Sequence, residues 1–147
     1  MNATVRQILQ RKGSNVWSVS SDTLVYRALQ IMQEKEIGAL VVMNEAGEMA
    51  GLISERDYAR KVILEGRSSR ETATKDIMAK ELYSVAPGAT AEECISLMLK
   101  NRVRHLPVLD NEKLVGLVSI GDVVRAIVKE QRTTIEHLGD YISGKYV

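Results

Sequence analysis

The stretch GLISERD at residues 51–57 recurs 65 positions later as GLVSIGD at residues 116–122, and this repetition decides the fold. Four of the seven residues are identical, and the third position is apolar in both copies, as Ile53 and Val118. Self-similarity at a fixed offset indicates an internal duplication. The flanking segments are therefore expected to repeat as well.

The flanking segments do repeat. VWSV at 16–19 corresponds to LYSV at 82–85, and each predicts a short strand. Apolar residues at helical spacing follow, and Thr90 with Glu93 forms a capping-box pattern at the start of the second helix. The helical stripes are Val25, Ala28, Leu29 and Met32 in the first copy and Ala91, Cys94, Ile95, Met98 and Leu99 in the second.

Each helix is followed by two apolar runs around a polar turn, which predicts a hairpin. The runs are IGALVVM and MAGLIS in the first copy and VRHLPVL and LVGLVS in the second. Helical spacing then resumes in DYARKVI and DVVRAIV. Each copy is thus predicted as strand, helix, strand, strand, helix, which places the chain in the mixed α/β (α+β) class as two pseudo-symmetric βαββα repeats.

The predicted domain organisation is a first repeat at residues 3–66, a polar linker at 67–73, a second repeat at 74–130 and a helical tail at 131–147. One helical turn is expected before each repeat, in VRQIL and TKDIM. A repeat of about 60 residues has too little interior to be stable alone, so the two are expected to pack together. The tail carries Ile135, Leu138 and Ile142 on one helical face and is expected to pack on the body or on a partner subunit.

Composition and charge exclude several classes of protein. The chain has 147 residues, of which 45% are hydrophobic and 27% charged, with a formal net charge of +1. This balance argues against nucleic-acid binding through phosphates. The N-terminus is too polar for a signal peptide and the longest apolar run too short for a bilayer, so no membrane association and a cytoplasmic location are predicted. A lone Cys94 permits no internal disulfide and is predicted to be a core thiol, and no metal site is expected.

The repeated Ser-x-x-Asp pattern allows two interpretations that are compatible with each other. In the first, Ser54 with Asp57, and Ser119 with Asp122, only cap the helices that start there. In the second, a helix start entered through glycine lets a phosphate or ribose approach backbone amides. A carboxylate accepts hydrogen bonds from vicinal ribose hydroxyls, and Arg56 offers donors for phosphate.

A second basic group lies at residues 102–105, where Arg102, Arg104 and His105 precede an apolar run. Plain solvation explains such a cluster at a strand edge. Close to a second anion-binding element, phosphate binding becomes the better explanation.

Taken together, the doubled series resembles a tandem pair of cystathionine β-synthase (CBS) domains, the Bateman module. The matching marks are VWSV and LYSV, IGALVV and RHLPV, and GLISERD and GLVSIGD, in the family's order. The resemblance covers about residues 3–130. It implies two βαββα units packed sheet to sheet, with two clefts that commonly bind adenine nucleotides. The expected ligand is AMP, and ADP, ATP and NAD are the alternatives.

The resemblance also implies which residues form each cleft. The aspartates would hold ribose, the serines and basic residues phosphate, and the backbone at the start of the second strand adenine. One cleft would combine Ser54, Arg56 and Asp57 with Ser84, Val103, Arg104 and His105; the other would combine Ser119 and Asp122 with Ser18, Thr23, Ile37, Gly38 and Ala39.

The two copies also depart from each other. Gly121 stands where the first copy has Arg56, and Val41 stands where the second has Pro107. Thr23 likewise corresponds to Ala89. The clefts are therefore expected to be unequal, with the first rich in phosphate-binding groups and the second almost without them.

The predicted function is a non-catalytic regulatory module that binds adenine nucleotides and signals to an unidentified effector protein, with no effector domain attached. Neither a P-loop nor a GxGxxG motif is present. A homodimer, a disc of four repeats, is expected through Val123, Val124, Ile127 and Val128. The alternatives are a structural dimerisation module with empty clefts, and a nucleotide-hydrolysing enzyme using Asp57 or His105.

Overall fold

The computed structural model describes the backbone of residues 3–142 and the side chains of residues 3–139. A π-helical turn at Ala59–Ile63 and a 3-10 turn at Thr74–Asp76 complete the regular structure of this part of the chain. The helices and strands are α1 (Val5–Lys12), β1 (Ser18–Ser20), α2 (Val25–Lys35), β2 (Ala39–Met43), β3 (Met49–Ser54), α3 (Glu55–Tyr58), α4 (Ala91–Asn101), β4 (His105–Asp110), β5 (Lys113–Ser119) and α5 (Ile120–Ile142).

The chain divides into two compact units that do not coincide with a simple cut between the copies. The first unit runs from Val16 to Leu82, and the second unit contains the described residues before Val16 together with those from Tyr83 onward. Helix α1 therefore belongs to the second unit, and the 3-10 turn belongs to the first. The helical turns predicted before each copy exist, but each is part of the unit built by the other copy.

The first unit has a three-stranded sheet in the order β1, β2, β3. Strand β1 runs parallel to β2, and β2 pairs antiparallel with β3, with Val41 opposite Leu52. The sheet and α2 bury a common apolar core, as the helical stripe predicted. Its buried members are Val19, Val25, Ala28, Met32, Leu40, Val42, Ile53, Val62 and Ile77.

The strand predicted at residues 82–85 is wrong, because this segment makes only a single parallel bridge from Val85 to Val108. The Val85 amide donates to the Pro107 carbonyl, and the Leu109 amide donates to the Val85 carbonyl. Pro107 has no amide hydrogen and cannot continue the ladder. In the first unit the corresponding Val41 amide donates to the Trp17 carbonyl at 3.2 Å, and a three-residue strand forms.

The second unit contains the predicted hairpin of β4 and β5. Its tight turn places Asn111 and Glu112 at positive φ, which matches the right-handed twist of the two strands. Cys94 lies in the apolar core between the hairpin and the helices, as predicted. Burial raises the pKa of its thiol to about 11, so the thiol is neutral at physiological pH.

The segment predicted as a linker supplies the start of helix α2. Leu24 at the N-cap makes no side-chain cap bond, yet the amides of Val25 and Tyr26 donate to the carbonyls of Thr72 and Ser69. The Thr72 side chain is itself buried and donates to the Ser68 carbonyl. Backbone from the polar segment thus satisfies the first-turn amides that a side chain usually caps.

The first glycine of each repeated signature packs directly against a neighbouring segment of the chain. A Cβ at Gly51 would lie 2.6 Å from the Ala79 carbonyl oxygen, and one at Gly116 would lie 2.7 Å from the Leu9 methyl groups. The expectation that these glycines leave space for a ligand is therefore wrong. They permit close packing of the segment that precedes the other copy.

The tail is continuous with the last helix of the second copy, since α5 runs unbroken to Ile142. Ile135 and Leu138 are 67% and 57% exposed, so these side chains do not pack on the body. The Ile142 side chain and residues 143–147 lie outside the described residues. No helix between residues 3 and 142 combines the length and the apolar character needed to cross a membrane.

Candidate functional site

The first repeated signature forms a corner where β3 ends and α3 begins; we call Ser54–Asp57 the first corner. The Asp57 amide donates to Ser54 Oγ at 3.2 Å, and the Ser54 amide donates back to Asp57 Oδ2 at 2.9 Å. Ser54 Oγ also donates to Asp57 Oδ2 at 3.1 Å. This reciprocal capping box confirms the capping interpretation for the first copy.

The second carboxylate oxygen of Asp57 faces a lysine. Lys61 Nζ lies 3.3 Å from Asp57 Oδ1 and also donates to the Ile77 carbonyl at 2.9 Å. Lys61 is part of the π-helical turn that follows α3. The Asp57 side chain remains 16% exposed. Oδ2 is thus committed to the cap, whereas Oδ1 is contacted at 3.3 Å by a lysine that also binds the Ile77 carbonyl.

The second signature forms an equivalent corner, Ser119–Asp122, between β5 and α5. The Asp122 amide donates to Ser119 Oγ at 3.1 Å, and the Ser119 amide donates to Asp122 Oδ2 at 2.8 Å. The same capping box therefore forms twice, as the repetition predicted.

The charges around the second corner are different. Lys12 Nζ donates to Asp122 Oδ2 at 2.7 Å and to the Leu117 carbonyl at 2.9 Å. Arg125 Nη2 donates to Asp122 Oδ1 at 2.9 Å. Two cations thus bind one carboxylate whose side chain is only 9% exposed.

The pKa of Asp122 reflects two opposing effects. Burial alone would raise the pKa of this carboxyl, but the hydrogen bonds from Lys12 and Ser119 stabilise the charged form. The net result is a pKa below the ordinary value of an aspartate. Asp122 is therefore a charged, fixed carboxylate at neutral pH.

The predicted adenine-contacting backbone lies beside the corner of its own copy. Ala39 pairs with Ser54 in the sheet, and the Glu55 amide donates to the Gly38 carbonyl at 3.1 Å. Ile37 and Gly38 also line a small pocket with Glu55. The first unit therefore brings Ile37–Ala39 next to the first corner, whereas the resemblance implies that they join the cleft of Ser119 and Asp122.

The second unit does the same with its basic residues. His105 pairs with Ser119, and the Ile120 amide donates to the Arg104 carbonyl at 2.8 Å. Val103 stands next to them and packs partly against the core. Arg104 and His105 thus adjoin the second corner within one unit, whereas the resemblance implies that they join the cleft of Ser54 and Asp57; the unequal composition of the two clefts stays a prediction.

The remaining predicted residues occupy less specialised places. Ser18 is exposed on β1 and pairs with Val41, whereas Ser84 is exposed and lies outside any strand. The Thr23 hydroxyl lies 2.8 Å from Ser20 Oγ and closes the turn before α2. Arg56 is partly buried within the first turn of α3. The resemblance implies that these residues share a cleft with the corner of the other copy, and this stays a prediction.

Sequence reasoning missed three cations that contact the carboxylates. Lys61 and Arg125 follow their aspartates by four and three residues, a spacing at which helical neighbours meet, and this spacing could have revealed them. Lys12 lies 110 residues before Asp122, and no local pattern connects the two. Among the described residues, no group of three or more His, Cys, Asp or Glu side chains is arranged to hold a metal ion.

Comparison with known proteins supports this description. The CBS domain family model matches residues 5–64 and 74–129. The chain is 42% identical over 154 residues to the CBS domain-containing protein CBSX3, mitochondrial, of Arabidopsis thaliana, covering 99% of this chain and 74% of that protein. Each of the two segments matched by the family model contains one copy of the repeated signature.

Solved structures agree with the fold. A putative signal-transduction protein with CBS domains from Burkholderia ambifaria has a TM-score of 0.83 at 45% identity, covering 88% of this chain and 96% of that one. The CBS domain pair of protein MJ0100, solved in complex with 5′-methylthioadenosine and S-adenosyl-L-methionine, has a TM-score of 0.76 at 21% identity, covering 88% and 99%. The duplicated α+β architecture, the two matched segments and these relatives together show that the chain belongs to the CBS domain family, as a tandem pair.

Proposed function

We propose that this chain is a non-catalytic regulatory module whose two corners bind an adenosine-containing ligand and whose bound state is read by a partner protein. The observation that carries the proposal is the fixed, partly buried carboxylate at each corner. A serine amide orients Asp57 and Asp122 through Oδ2, and among the described residues no backbone amide donates to Oδ1 of either aspartate.

Such a carboxylate is suited to ribose. An ionised carboxylate has about four acceptor sites, and vicinal hydroxyls of a ribose use two of them. At the first corner, Asp57 Oδ1 lies 3.3 Å from Lys61 Nζ, and a sugar hydroxyl can replace or join that contact. The capping box remains intact, because it uses Oδ2.

The adenosine part of the proposal is taken from a relative with the same fold. The CBS domain pair of MJ0100 was solved with 5′-methylthioadenosine and S-adenosyl-L-methionine, which both contain adenosine. AMP is the first ligand to test, followed by ADP, ATP, NAD and the two ligands of that relative.

The decisive test is calorimetry with AMP on Asp57→Asn, Asp122→Asn and the double variant. Asparagine keeps an acceptor for the cap, so the folding cost is about 0.5–1 kcal/mol. Loss of a charged hydrogen bond to ribose is worth roughly 1.5–3 kcal/mol, so each variant should lose one site by about ten- to a hundredfold. Asp22→Asn, at an exposed carboxylate paired with Lys75, is the matched control.

A companion measurement is the melting temperature with ligand present. A ligand at about 100 times its dissociation constant stabilises the fold by roughly 2.7 kcal/mol, which for this size corresponds to about 5–10 °C. Guanosine nucleotides should shift it less. If calorimetry of the Asp57→Asn, Asp122→Asn double variant still shows two sites with unchanged affinity, both signatures act only as helix caps. That result would refute the proposal.

The exposed apolar side chains of α5 support the predicted homodimer. Val124 and Val128 point to solvent, whereas Val123 is fully buried in its own core and Ile127 packs partly against it. The pairing face predicted from sequence is therefore corrected to Val124 and Val128. Sedimentation that shows only monomer at micromolar concentration, with and without AMP, would exclude this dimer.

A further inference from the structure

Helix α5 carries a line of side chains spaced alternately four and three residues apart along its length. The line is apolar except at its third position, and its next position, residue 142, is an isoleucine in the sequence. We call this line the α5 seam. Its described members are Val124, Val128, Gln131, Ile135 and Leu138.

The seam is a different face of α5 from the one that the second unit buries. Val123 and Ala126 lie in the core of that unit, and the Ala3 amide donates to Glu130 Oε2 at 3.0 Å. Val124 and Val128 are 45% and 41% exposed. From residue 131 to residue 139 every side chain is exposed. The distal end of the helix therefore gains little from packing within its own unit.

The distal end of α5 also has a low intrinsic tendency to be helical. Thr133, Thr134 and Ile135 are three β-branched residues in a row, and Gly139 follows them. Helical segments of roughly 12–15 residues are marginal in water unless an apolar face is packed. Packing of the seam against a further helix would supply that stabilisation.

The spacing of the seam indicates the kind of partner. Alternating steps of four and three residues average about 3.5, which is the repeat at which helices pair in coiled coils. Val128 and Ile135 then occupy heptad position a, and Leu138 occupies position d. β-branched residues at position a with leucine at position d are typical of parallel, two-stranded coiled coils. Residues 124–142 span about 27 Å of helix, so the seam extends a contact between modules and does not replace it.

Gln131 and the flanking arginines favour a second copy of the same helix in parallel orientation. A glutamine amide contains both a donor and an acceptor, so the same glutamine of a second copy satisfies it across a two-fold axis. Arg125 and Arg132 occupy position e beside the seam. Parallel pairing places them opposite Ile127 and Thr134 of the second copy, at position g. Antiparallel pairing would instead place arginine against arginine, which is unfavourable.

A membrane surface fits the same face less well. Helices that lie on membranes combine an apolar face with an excess of lysine and arginine. Between residues 131 and 142 the sequence has Arg132 against Glu136 and Asp140. This end of α5 therefore lacks the basic excess that attracts anionic lipids.

We propose that α5 pairs with α5 of a second copy as a parallel, two-stranded coiled coil along the seam, with Gln131 opposite Gln131. The inference rests on the homodimer of the proposed function and extends it. Val124 and Val128 meet their counterparts beside the body of the module, and Ile135 and Leu138 continue the pairing along the tail. The two modules are then held in the same direction, with their two-fold axis along α5.

Sedimentation equilibrium of the full chain tests the contribution of the tail. Ile135→Gln with Leu138→Gln makes the distal seam polar, and Thr133→Gln with Glu136→Gln changes the same turns off the seam as the matched control. We expect the dissociation constant of the dimer to rise at least about a hundredfold in the seam variant and to stay within about threefold in the control, because two buried apolar side chains per chain are lost.

Cysteine substitution tests the orientation of the two helices. Gln131→Cys and Leu138→Cys, made separately, should each form a disulfide with the second copy on mild oxidation, because equal d positions meet only in a parallel pair in register. An antiparallel pair can bring at most one of these positions together. Glu136→Cys, on the outer face, is the control and should not form the bond. Cys94 does not interfere, because its thiol is buried.

The outcomes separate this inference from the proposals on which it rests. Unchanged dimer affinity in the seam variant, or a disulfide at only one of the two cysteines, would overturn the coiled coil and leave a dimer through Val124 and Val128 standing. A monomeric wild type would overturn both, and flotation of that monomer with phosphatidylcholine–phosphatidylglycerol vesicles would assign the seam to a membrane. Calorimetry with AMP on the seam variant reports separately on the corners, and its affinity should not change.

Discussion

The two corners share one sequence signature, but the lysines that contact their carboxylates come from different parts of the chain. At the first corner, Lys61 comes from the turn that the corner itself starts, and it also binds the Ile77 carbonyl beyond the 3-10 turn. At the second corner, Lys12 comes from α1, and it also binds the Leu117 carbonyl on β5. In both units one lysine contacts both the aspartate and a backbone carbonyl, but a different structural element provides that lysine in each unit.

This difference teaches that a repeated motif specifies local geometry and not local charge. Ser54 and Ser119 make the same capping bonds, with nearly the same distances. The helices that follow diverge, because α3 has four residues before the π-helical turn, whereas α5 continues for 23 residues. The longer helix brings a second cation, Arg125, onto its aspartate.

The largest expected difference between the units concerns their buried glycines. Gly51→Ala places a methyl group 2.6 Å from the Ala79 carbonyl oxygen, a backbone atom that cannot turn aside. Gly116→Ala meets the end of the Leu9 side chain, which can adopt another rotamer. Overpacking costs about 1–3 kcal/mol, so we expect about 2–3 kcal/mol for Gly51→Ala and about 1 kcal/mol for Gly116→Ala, measured by urea unfolding.

Gly47→Ala is a useful reference for backbone conformation. Nothing lies within 4 Å of a Cβ at that position, and its φ of +77° alone makes the substitution unfavourable. Equal losses at Gly51 and Gly116 would show that the two units tolerate the extra methyl group alike and would remove this contrast.

A second comparison concerns the strand that only the first unit completes. Val41→Pro removes the amide that donates to the Trp17 carbonyl and should make the first unit resemble the second. We expect β1 to shorten and the free energy of unfolding to fall by about 1–2 kcal/mol, since one hydrogen bond and some edge packing are lost.

The reciprocal substitution Pro107→Val is the control for this argument. It supplies the missing amide in the second unit, where the chain from Leu82 to Ser84 lies outside any strand. A protected, slowly exchanging amide at residue 107 of the variant would support the role of proline. A fully stable Val41→Pro protein with unchanged protection of Ser18–Ser20 would contradict it.

The smallest expected effect separates the two lysines. Lys12→Gln breaks a 2.7 Å ion pair to a nearly buried aspartate, whereas Lys61→Gln breaks a 3.3 Å contact to a more exposed one. We expect costs of about 1 kcal/mol and at most about 0.5 kcal/mol, respectively, at neutral pH. Chemical denaturation of both variants, each of which also loses one bond to a carbonyl, measures the difference.

The pH dependence of the Lys12 effect follows from the pKa of Asp122. Because the folded state lowers that pKa, the stabilisation is present above the ordinary aspartate pKa of about 4 and is lost as the pH falls through the lower, folded value. The difference between wild type and Lys12→Gln should therefore shrink below about pH 4. A difference that stays constant down to pH 2 would show that Lys12 acts through packing and not through the ion pair.

Much of the fold was predictable, because its information is local. Helix α4 begins at Thr90, whose side chain accepts from the Glu93 amide, and the hairpins follow from apolar runs around polar turns. The strand at 82–85 was predicted wrongly because Pro107, 22 residues beyond Val85, denies it a donor. Alternation of side chains along a segment cannot reveal which partner the segment will have.

Less of the candidate site was predictable. The sequence by itself determined the duplication, the capping of both helices by Ser-x-x-Asp and the identity of the two carboxylates, because residues three apart at a helix start must meet. Only the tertiary structure decided that a cation from a distant element also binds one of those carboxylates. Lys12 reaches Asp122 because α1 belongs to the second unit, and Gly116 allows Leu9 of that helix to pack closely. Such contacts depend on the path of the chain between distant residues, and no spacing within a short window records that path.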